Sequence, residues 1–312
     1  MEHGDAPPVV VAVDGSDGAR AAAVWAADVA VELGADLELL HVNASPGHPR
    51  PDWLRRLASE VGRVAGRSCT AVVLDRLDGE VAAALAAHAA RARLLVLGSY
   101  GRGAHGGVLA GAVARGVIDA ARCPVAVVRG PEPGVPPPRG GAVVAGADDS
   151  PGGRAALRAA ADLAAALGAR LVALYAWADV VADGAGFAHR RHETPPVLEI
   201  EAARRLDAQL AAVHAVHPAL QVERRVVGDG ALRALLVQAA RARAVVVGRR
   251  ARHDRDRAPR ARGILLGSTS EALVEFAPCP VVVVREEPPA ALPAPAVVGS
   301  GVHTVDVAEE LR

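Results

Sequence analysis

The stretch Gly98-Ser99-Tyr100-Gly101-Arg102-Gly103-Ala104-His105-Gly106-Gly107-Val108-Leu109-Ala110-Gly111 decides how this chain can fold. It follows the apolar run Leu94-Leu95-Val96-Leu97 and leads into helical spacing, since Leu109, Val113 and Val117 fall four apart. This order, in which a buried strand leads through a glycine-rich turn into a helix, is typical of phosphate-binding sites. Glycine lets backbone N–H groups approach an anion closely, and the start of a helix adds N–H donors that have no partner within the helix. The spacing is neither the dinucleotide G-x-G-x-x-G nor the P-loop. The alternative interpretation is a tight strand-to-helix turn without a ligand.

The composition predicts a soluble, cytoplasmic, two-domain protein. The chain has 312 residues, whereas one core stops growing near about 250 residues. Hydrophobic residues make up 51% but aromatic residues only 2%, so Ala, Val and Leu must form the core. The 35 arginines balance 35 acidic residues, which leaves no net field to recruit nucleic acid or a membrane. The three cysteines include no CxxC pair, which fits a reducing compartment. The sequence also has no signal pattern and no apolar run long enough to span a membrane, so we expect a cytoplasmic protein.

Strand and helix patterns alternate through the first part of the chain. The β-branched run Val9–Val13 is typical of a buried parallel strand. The alanine-rich run Ala19–Leu33 predicts a helix that ends at Gly34. This alternation predicts an α/β fold, a doubly wound, Rossmann-like parallel sheet of five strands with helices on both faces.

The same pattern then repeats, which predicts a duplicated domain. Asp148 follows Asp14 by 134 positions, Gly248 follows Gly98 by 150, and Cys279 follows Cys123 by 156. The growing offset predicts insertions in loops, the first around Ala178–Pro196. The predicted organisation is a first domain at 1–130, a proline-rich linker at 131–141, a second domain at 142–286 and a flexible tail at 287–312.

Taken in order, these motifs resemble the universal stress protein family. The first set is Val13-Asp14-Gly15-Ser16, Gly98-x2-Gly101-x9-Gly111 and Cys123-Pro124-Val125. The second is Asp148-Asp149-Ser150, Gly248, Gly267-Ser268-Thr269-Ser270 and Cys279-Pro280-Val281. The resemblance implies a tandem protein with two such sheets, strand order 3-2-1-4-5 in each, and ATP as the cofactor. It also implies that the two halves pair as an internal dimer, with a homodimer as a further possibility.

The resemblance also implies a binding role for particular residues of the first half. Asp14, beside Val13, and Val42 would face the adenine. Gly98 and Gly101 would let the backbone approach ribose and phosphate, and Arg102, before Gly103, would offer charge. Gly111 would open the helix that holds phosphate through Ala112, Val113 and Ala114. The family has hydroxyl side chains where this sequence has Ala112 and Ala114, so a weaker triphosphate affinity is expected at about 1 kcal/mol per lost hydrogen bond.

The second half departs from the family in the opposite way. Its adenine-side pair would be Asp148 and Ala176, and its loop would start at Gly248. Ser268 and Ser270, on either side of Thr269, restore the hydroxyls after Gly267, but Ala251 replaces the second glycine. Neither half therefore has the full pattern.

Other interpretations of these residues remain open. Asp14 and Asp148 are also suited to cap the helices that follow them. The arginine-rich run 249–262 contains Asp254 and Asp256, so a solvated, self-paired loop competes with a phosphate contact. His189 and His192 lack further ligands for a metal site, and Cys123 and Cys279, just before buried strands, are expected to be inert core residues.

The leading hypothesis is a non-catalytic regulator that binds ATP, because no arrangement of nucleophile and base recurs in the two halves. The first alternative is an interaction scaffold that keeps the fold without the ligand, and the second is a slow ATPase. Neither a nucleic-acid partner nor a membrane partner is expected.

Overall fold

The chain divides into two compact units in the computed structural model. Residues 1–137 with 288–312 form the first unit, and residues 138–287 form the second. The structure describes residues 7–43, 51–66, 69–75, 81–99, 111–132, 135–177, 195–249, 268–286 and 302–306. The insertion predicted around Ala178–Pro196 lies largely outside these residues.

Strands and helices alternate along the first unit. Its elements are β1 (Val9–Ala12), α1 (Asp17–Leu33), β2 (Leu37–Asn43), α2 (Asp52–Ala65), β3 (Cys69–Asp75), α3 (Val81–His88), β4 (Leu94–Gly98), α4 (Ala112–Ala120) and β5 (Val125–Val128). A short 3-10 turn, Ala89–Arg91, extends α3.

The second unit repeats this alternation. Its elements are β6 (Ala142–Ala147), α5 (Pro151–Ala166), β7 (Leu171–Ala176), α6 (Pro195–Val216), β8 (Val222–Val227), α7 (Ala231–Ala239), β9 (Ala242–Gly248), α8 (Ser268–Phe276) and β10 (Val281–Val284). In the described part of the chain, no helix combines the length and apolar character needed to cross a membrane.

The strand order confirms the predicted fold class. Within the first unit the parallel strands run β3-β2-β1-β4-β5, and within the second they run β8-β7-β6-β9-β10. Both orders are 3-2-1-4-5 when each unit is numbered from its own first strand. The strand β1 pairs with β2 on one side and β4 on the other, so Val11 lies between Leu39 and Val96. The division into two separate sheets stays a prediction.

Local sequence explains where α1 begins and ends. Ser16 caps the helix, because its side chain accepts a hydrogen bond from the N–H of Ala19 at 3.2 Å. Gly34 ends it in the left-handed conformation, at φ 64°, as the sequence predicted. The predicted start at Ala19 is two residues late, since the capping serine was assigned to the end of the strand.

A further strand lies in the segment that was expected to be a flexible tail with at most one short ordered piece, near Val305–Leu311. This strand, β11 (Val302–Asp306), pairs antiparallel with β3 in the first unit, from Val302 opposite Leu74 to Asp306 opposite Thr70. An edge strand presents unpaired backbone groups that favour association with other chains. The strand β11 therefore covers one edge of the first unit's sheet.

We expect deletion of residues 287–312 to speed amide hydrogen exchange in β3, because its outward N–H groups then face water. Exchange measured by mass spectrometry on peptides covering Cys69–Asp75 checks this. The matched control is a chain that ends after Asp306 and keeps β11. Equal protection of β3 in both truncated chains would show that β11 contributes no stability to this edge.

All three cysteines are buried, as was predicted for Cys123 and Cys279; Cys69 is the first residue of β3, and the other two lie two residues before β5 and β10. Burial raises the thiol pKa of Cys69 and Cys279 to about 12 and that of Cys123 to about 11. We expect none of them to react with a disulfide reagent at about pH 8 in the folded protein, and all three to react after unfolding. A thiol that reacts at once in native buffer would contradict the packing of its strand.

The same thiols make stability depend on alkaline pH. Their folded pKa values lie above the ordinary value of 9.0, so the folded state holds these protons more tightly than the unfolded state. Their contribution is complete below about pH 9 and is lost as pH rises through the folded pKa values.

Candidate functional site

A cavity of about 420 Å³ lies at the carboxyl end of the first unit's sheet. The cavity lies at the ends of the neighbouring strands β1 and β4. From β1 the chain continues towards one edge of the sheet and from β4 towards the other, and ligands bind at such a switch point in open α/β sheets. Its wall is formed by Ala12, Val13, Asp14, Ala19, Leu40, His41, Val42, Val81, Leu85, Leu97, Gly98, Ser99, Gly111, Ala112, Val113 and Ala114. The wall is mostly apolar with few polar groups, which is typical of a small-molecule site.

The structure brings most of the site residues predicted for the first half into this one wall. These are Val13, Asp14, Val42, Gly98, Gly111, Ala112 and Val113. The other three, Gly101, Arg102 and Gly103, lie outside the described residues.

The N-terminus of α4 opens onto the cavity. Gly111 is its cap, no side chain caps this N-terminus, and Ala112, Val113 and Ala114 line the wall. A Cβ built on Gly111 would meet no atom within 4 Å, so the glycine leaves open space over the first turn. Backbone N–H groups at such a helix start favour an anion.

Asp14 holds the turn between β1 and α1. Its Oδ1 accepts a hydrogen bond from the N–H of Ser16 at 2.9 Å, and the helix cap is Ser16 itself. The interpretation of Asp14 as the helix cap is therefore wrong. Asp14 is half-buried and belongs to the cavity wall.

Gly98 has a packing role that the sequence did not indicate. A Cβ at this position would lie 2.6 Å from the carbonyl carbon of Gly18 and 2.9 Å from the backbone nitrogen of Ala19. The glycine is needed because α1 crosses directly over the end of β4. Gly248 repeats this contact in the second unit, where a Cβ would lie 2.3 Å from the carbonyl carbon of Gly152.

Sequence reasoning missed His41, which lies in the cavity wall. Its Nδ1 lies 2.8 Å from the carbonyl oxygen of Val13, so Nδ1 carries the hydrogen and donates it. The ring of Trp53 stands edge-on at 5.1 Å and covers Gly15, whose φ is 82°. The sequence could have indicated this, because His41 directly precedes Val42, a predicted site residue near the end of β2.

The predicted residues of the second half are arranged differently. Asp148 Oδ1 accepts hydrogen bonds from the N–H of Ser150 at 2.8 Å and from its hydroxyl at 2.5 Å. Ser150 caps α5, so Asp148 is not the cap either. The hydroxyl of Ser270, expected to bind phosphate, donates to the carbonyl oxygen of Gly248 at 2.9 Å.

The remaining residues predicted for the second half fall at element ends. Ala176 is the last residue of β7, and Ser268 and Thr269 open α8. Gly267 lies outside the described residues, as does the arginine-rich run after Arg249. Within the described ranges, no group of three or more His, Cys, Asp or Glu side chains is placed to hold a metal.

A polar network lies at the carboxyl end of the second unit's sheet. Tyr175 donates to Asp149 Oδ2 at 2.9 Å, and Arg205 on α6 donates to both Asp149 and Glu201. Burial and then the hydrogen bond to Asp149 raise the pKa of Tyr175 to about 12. Burial opposes the charge on Arg205, but the two carboxylates outweigh it and raise its pKa.

Comparison with known proteins agrees with this duplicated architecture. A model of the universal stress protein family matches residues 7–129 and again residues 141–285. The universal stress protein Rv2005c of Mycobacterium tuberculosis is 32% identical over 306 residues, covering 91% of this chain and 98% of that protein. Rv2623 of the same organism, also a universal stress protein, is 30% identical over 297 residues, covering 89% and 96%.

A solved structure shows the same fold at low sequence identity. The universal stress protein from Archaeoglobus fulgidus superposes with a TM-score of 0.59 at 16% identity, covering 89% of this chain and 98% of that one.

Proposed function

Because the chain belongs to the universal stress protein family, we propose that it is a stress-response regulator that binds ATP in one or both units without catalysing a reaction. The observation that carries this proposal is the cavity of about 420 Å³ in the first unit. Its apolar wall suits an adenine ring, while the uncapped start of α4 suits phosphate. Asp14 adds a carboxylate that can accept hydrogen bonds from ribose or base.

Binding would act on the surface of the protein. Ser99 and Gly111 both line the cavity, so a bound nucleotide would change the surface that they border. A partner that recognises this surface would respond to the nucleotide. We place this regulation in the cytoplasm, with neither nucleic acid nor a membrane as the partner.

A ligand-free interaction scaffold is the second candidate, and Ala112 and Ala114 favour it because they lack the hydroxyls expected at the start of α4. Slow ATP hydrolysis is the third. It predicts phosphate release that an Asp14→Ala variant would abolish, and the non-catalytic proposal predicts no such release.

The proposal is tested by isothermal titration of the full chain with ATP. We expect wild type to bind and Ala112→Ser to bind about five-fold more tightly, because the new hydroxyl adds one hydrogen bond worth about 1 kcal/mol. The matched control is Ala120→Ser, an exposed alanine at the other end of α4, which should leave affinity unchanged.

Two results would contradict the proposal in different ways. No heat of binding with either wild type or Ala112→Ser favours the ligand-free scaffold. Binding that Ala112→Ser leaves unchanged would mean that the phosphates do not contact the start of α4.

A further inference from the structure

The two units carry different side chains at corresponding positions around their sheet ends. The offset of 134 positions relates Gly15 to Asp149, Ala19 to Gly153 and His41 to Tyr175. We infer that only the first unit binds the nucleotide, because the second unit uses these positions to bond its own side chains together. This inference rests on the proposed function and specifies which of the two sites is used.

The first difference lies beside the paired aspartates. A Cβ built on Gly153 would lie 2.0 Å from Asp148 Oδ1 and 2.8 Å from the backbone nitrogen of Asp148. The carboxylate therefore occupies the space that a side chain at position 153 would need. In the first unit Ala19 stands at the corresponding position, and both Ala19 and Asp14 line the cavity. Both aspartates accept a hydrogen bond from the N–H of the serine two residues further on, but Asp148 also packs against Gly153, and Asp14 lines the cavity.

The second difference lies at the residue after each paired aspartate, which is Gly15 in the first unit and Asp149 in the second. In the first unit Gly15 has no side chain, and the ring of Trp53 packs over it. In the second unit Asp149 places a carboxylate there, which accepts hydrogen bonds from Tyr175 and from Arg205 on α6. A ligand entering at this point would have to separate a carboxylate from a guanidinium that is only one-third exposed.

The helix α6 is tied to the same turn at a second point. Gln209 Nε2 donates to the carbonyl oxygen of Asp148 at 3.1 Å. Arg205 and Gln209 are four residues apart, so they lie on one face of α6 and bond to consecutive residues of the turn. The turn after β6 and the covering helix are therefore held as one body.

At the opposite side of the expected site, the hydroxyl of Ser270 gives the second unit no advantage over Ala114 of the first unit. The hydroxyl of Ser270 has one proton, and it donates this proton to the carbonyl oxygen of Gly248. The sequence assigned this hydroxyl to phosphate, but it can donate to phosphate only by breaking the bond to Gly248. Ser270 is only 6% exposed, so its hydroxyl has little access to a ligand from solvent.

Equilibrium dialysis of the full chain with radiolabelled ATP tests the inference through stoichiometry. We expect saturation at one ATP per chain. Photolabelling with 8-azido-ATP, followed by peptide mapping, should mark peptides from residues 7–132 and none from residues 138–286. Two ATP per chain, or labelled peptides from the second unit, would overturn the inference while leaving the proposed function standing.

The paired aspartates supply matched variants. Asp14→Asn should weaken ATP binding about ten-fold, since it removes a charged acceptor from the cavity wall. Asp148→Asn should leave affinity within about two-fold, because by this inference the side chain lies outside the binding machinery. The reverse result would assign the single site to the second unit and overturn the inference. Absence of binding to wild type would remove the proposed function and this inference with it.

Discussion

Gly98→Ala is expected to lower the free energy of unfolding of the first unit by about 3 kcal/mol. The added Cβ would lie 2.6 Å from the carbonyl carbon of Gly18 and 2.7 Å from its oxygen, and neither is the end of a flexible side chain. Because both atoms belong to the backbone, the clash is relieved only if α1 moves away from β4. The movement would loosen a helix whose buried face includes Trp25.

Tryptophan fluorescence during urea unfolding measures this effect in a Trp177→Phe background. The two remaining tryptophans, Trp25 and Trp53, both lie in the first unit, so the signal reports that unit alone. The matched control is Gly111→Ala, whose Cβ would meet no atom within 4 Å and whose φ is −60°. Equal stability of the two variants would contradict the close contact between α1 and β4.

Ala112→Phe is expected to weaken ATP binding at least about a hundred-fold while leaving the fold intact. Ala112 is exposed and lines the cavity at the start of α4, so a benzyl group there extends into the ligand's space without displacing core residues. Steric exclusion of this kind acts on binding directly, because the ligand must then lose contacts or displace the ring.

Ala120→Phe is the control, since Ala120 is also exposed and lies at the other end of the same helix. Titration with ATP and a thermal melt on both variants separate binding from folding. Loss of binding in Ala112→Phe alone, with equal melting temperatures, supports the site at the start of α4. Unchanged affinity in Ala112→Phe would place the nucleotide elsewhere on the protein.

Local patterns were sufficient to predict the architecture. Continuous valine runs such as Val9–Val11 gave the parallel strands, because strands buried on both faces need apolar residues at every position. Gly34 marked a helix end because few other residues adopt its left-handed conformation at low energy. The order of strands in each unit was predicted from the resemblance to the universal stress protein family, and the structure has that order.

Contacts between distant segments could not be predicted in the same way. Gly98 was assigned to ligand approach, yet it also touches Gly18, eighty residues earlier in the chain. His41 reached the cavity wall through the pairing of β2 with β1. The strand β11 follows a proline-rich stretch, and its pairing with the distant β3 could not be predicted from local sequence.

The hydroxyl of Ser270 illustrates the limit for the candidate site. The sequence placed a serine where the family has a hydroxyl, but the direction in which it donates depends on the carbonyl of Gly248 beside it. Likewise, Asp14 and Asp148 are the same residue type after similar strands. The sequence could not show that Asp148 packs against Gly153, five residues further on, or that Asp14 lines a cavity.

The pairing of β11 with β3 has a consequence for how the protein is made. A ribosome must translate residues 129–301, which include the whole second unit, before it supplies the strand that covers β3. At elongation speeds of about 5–20 residues per second this delay is on the order of ten seconds or more. During that interval the nascent first unit has a bare sheet edge, so co-translational folding of this protein depends on whatever protects that edge until the final strand emerges.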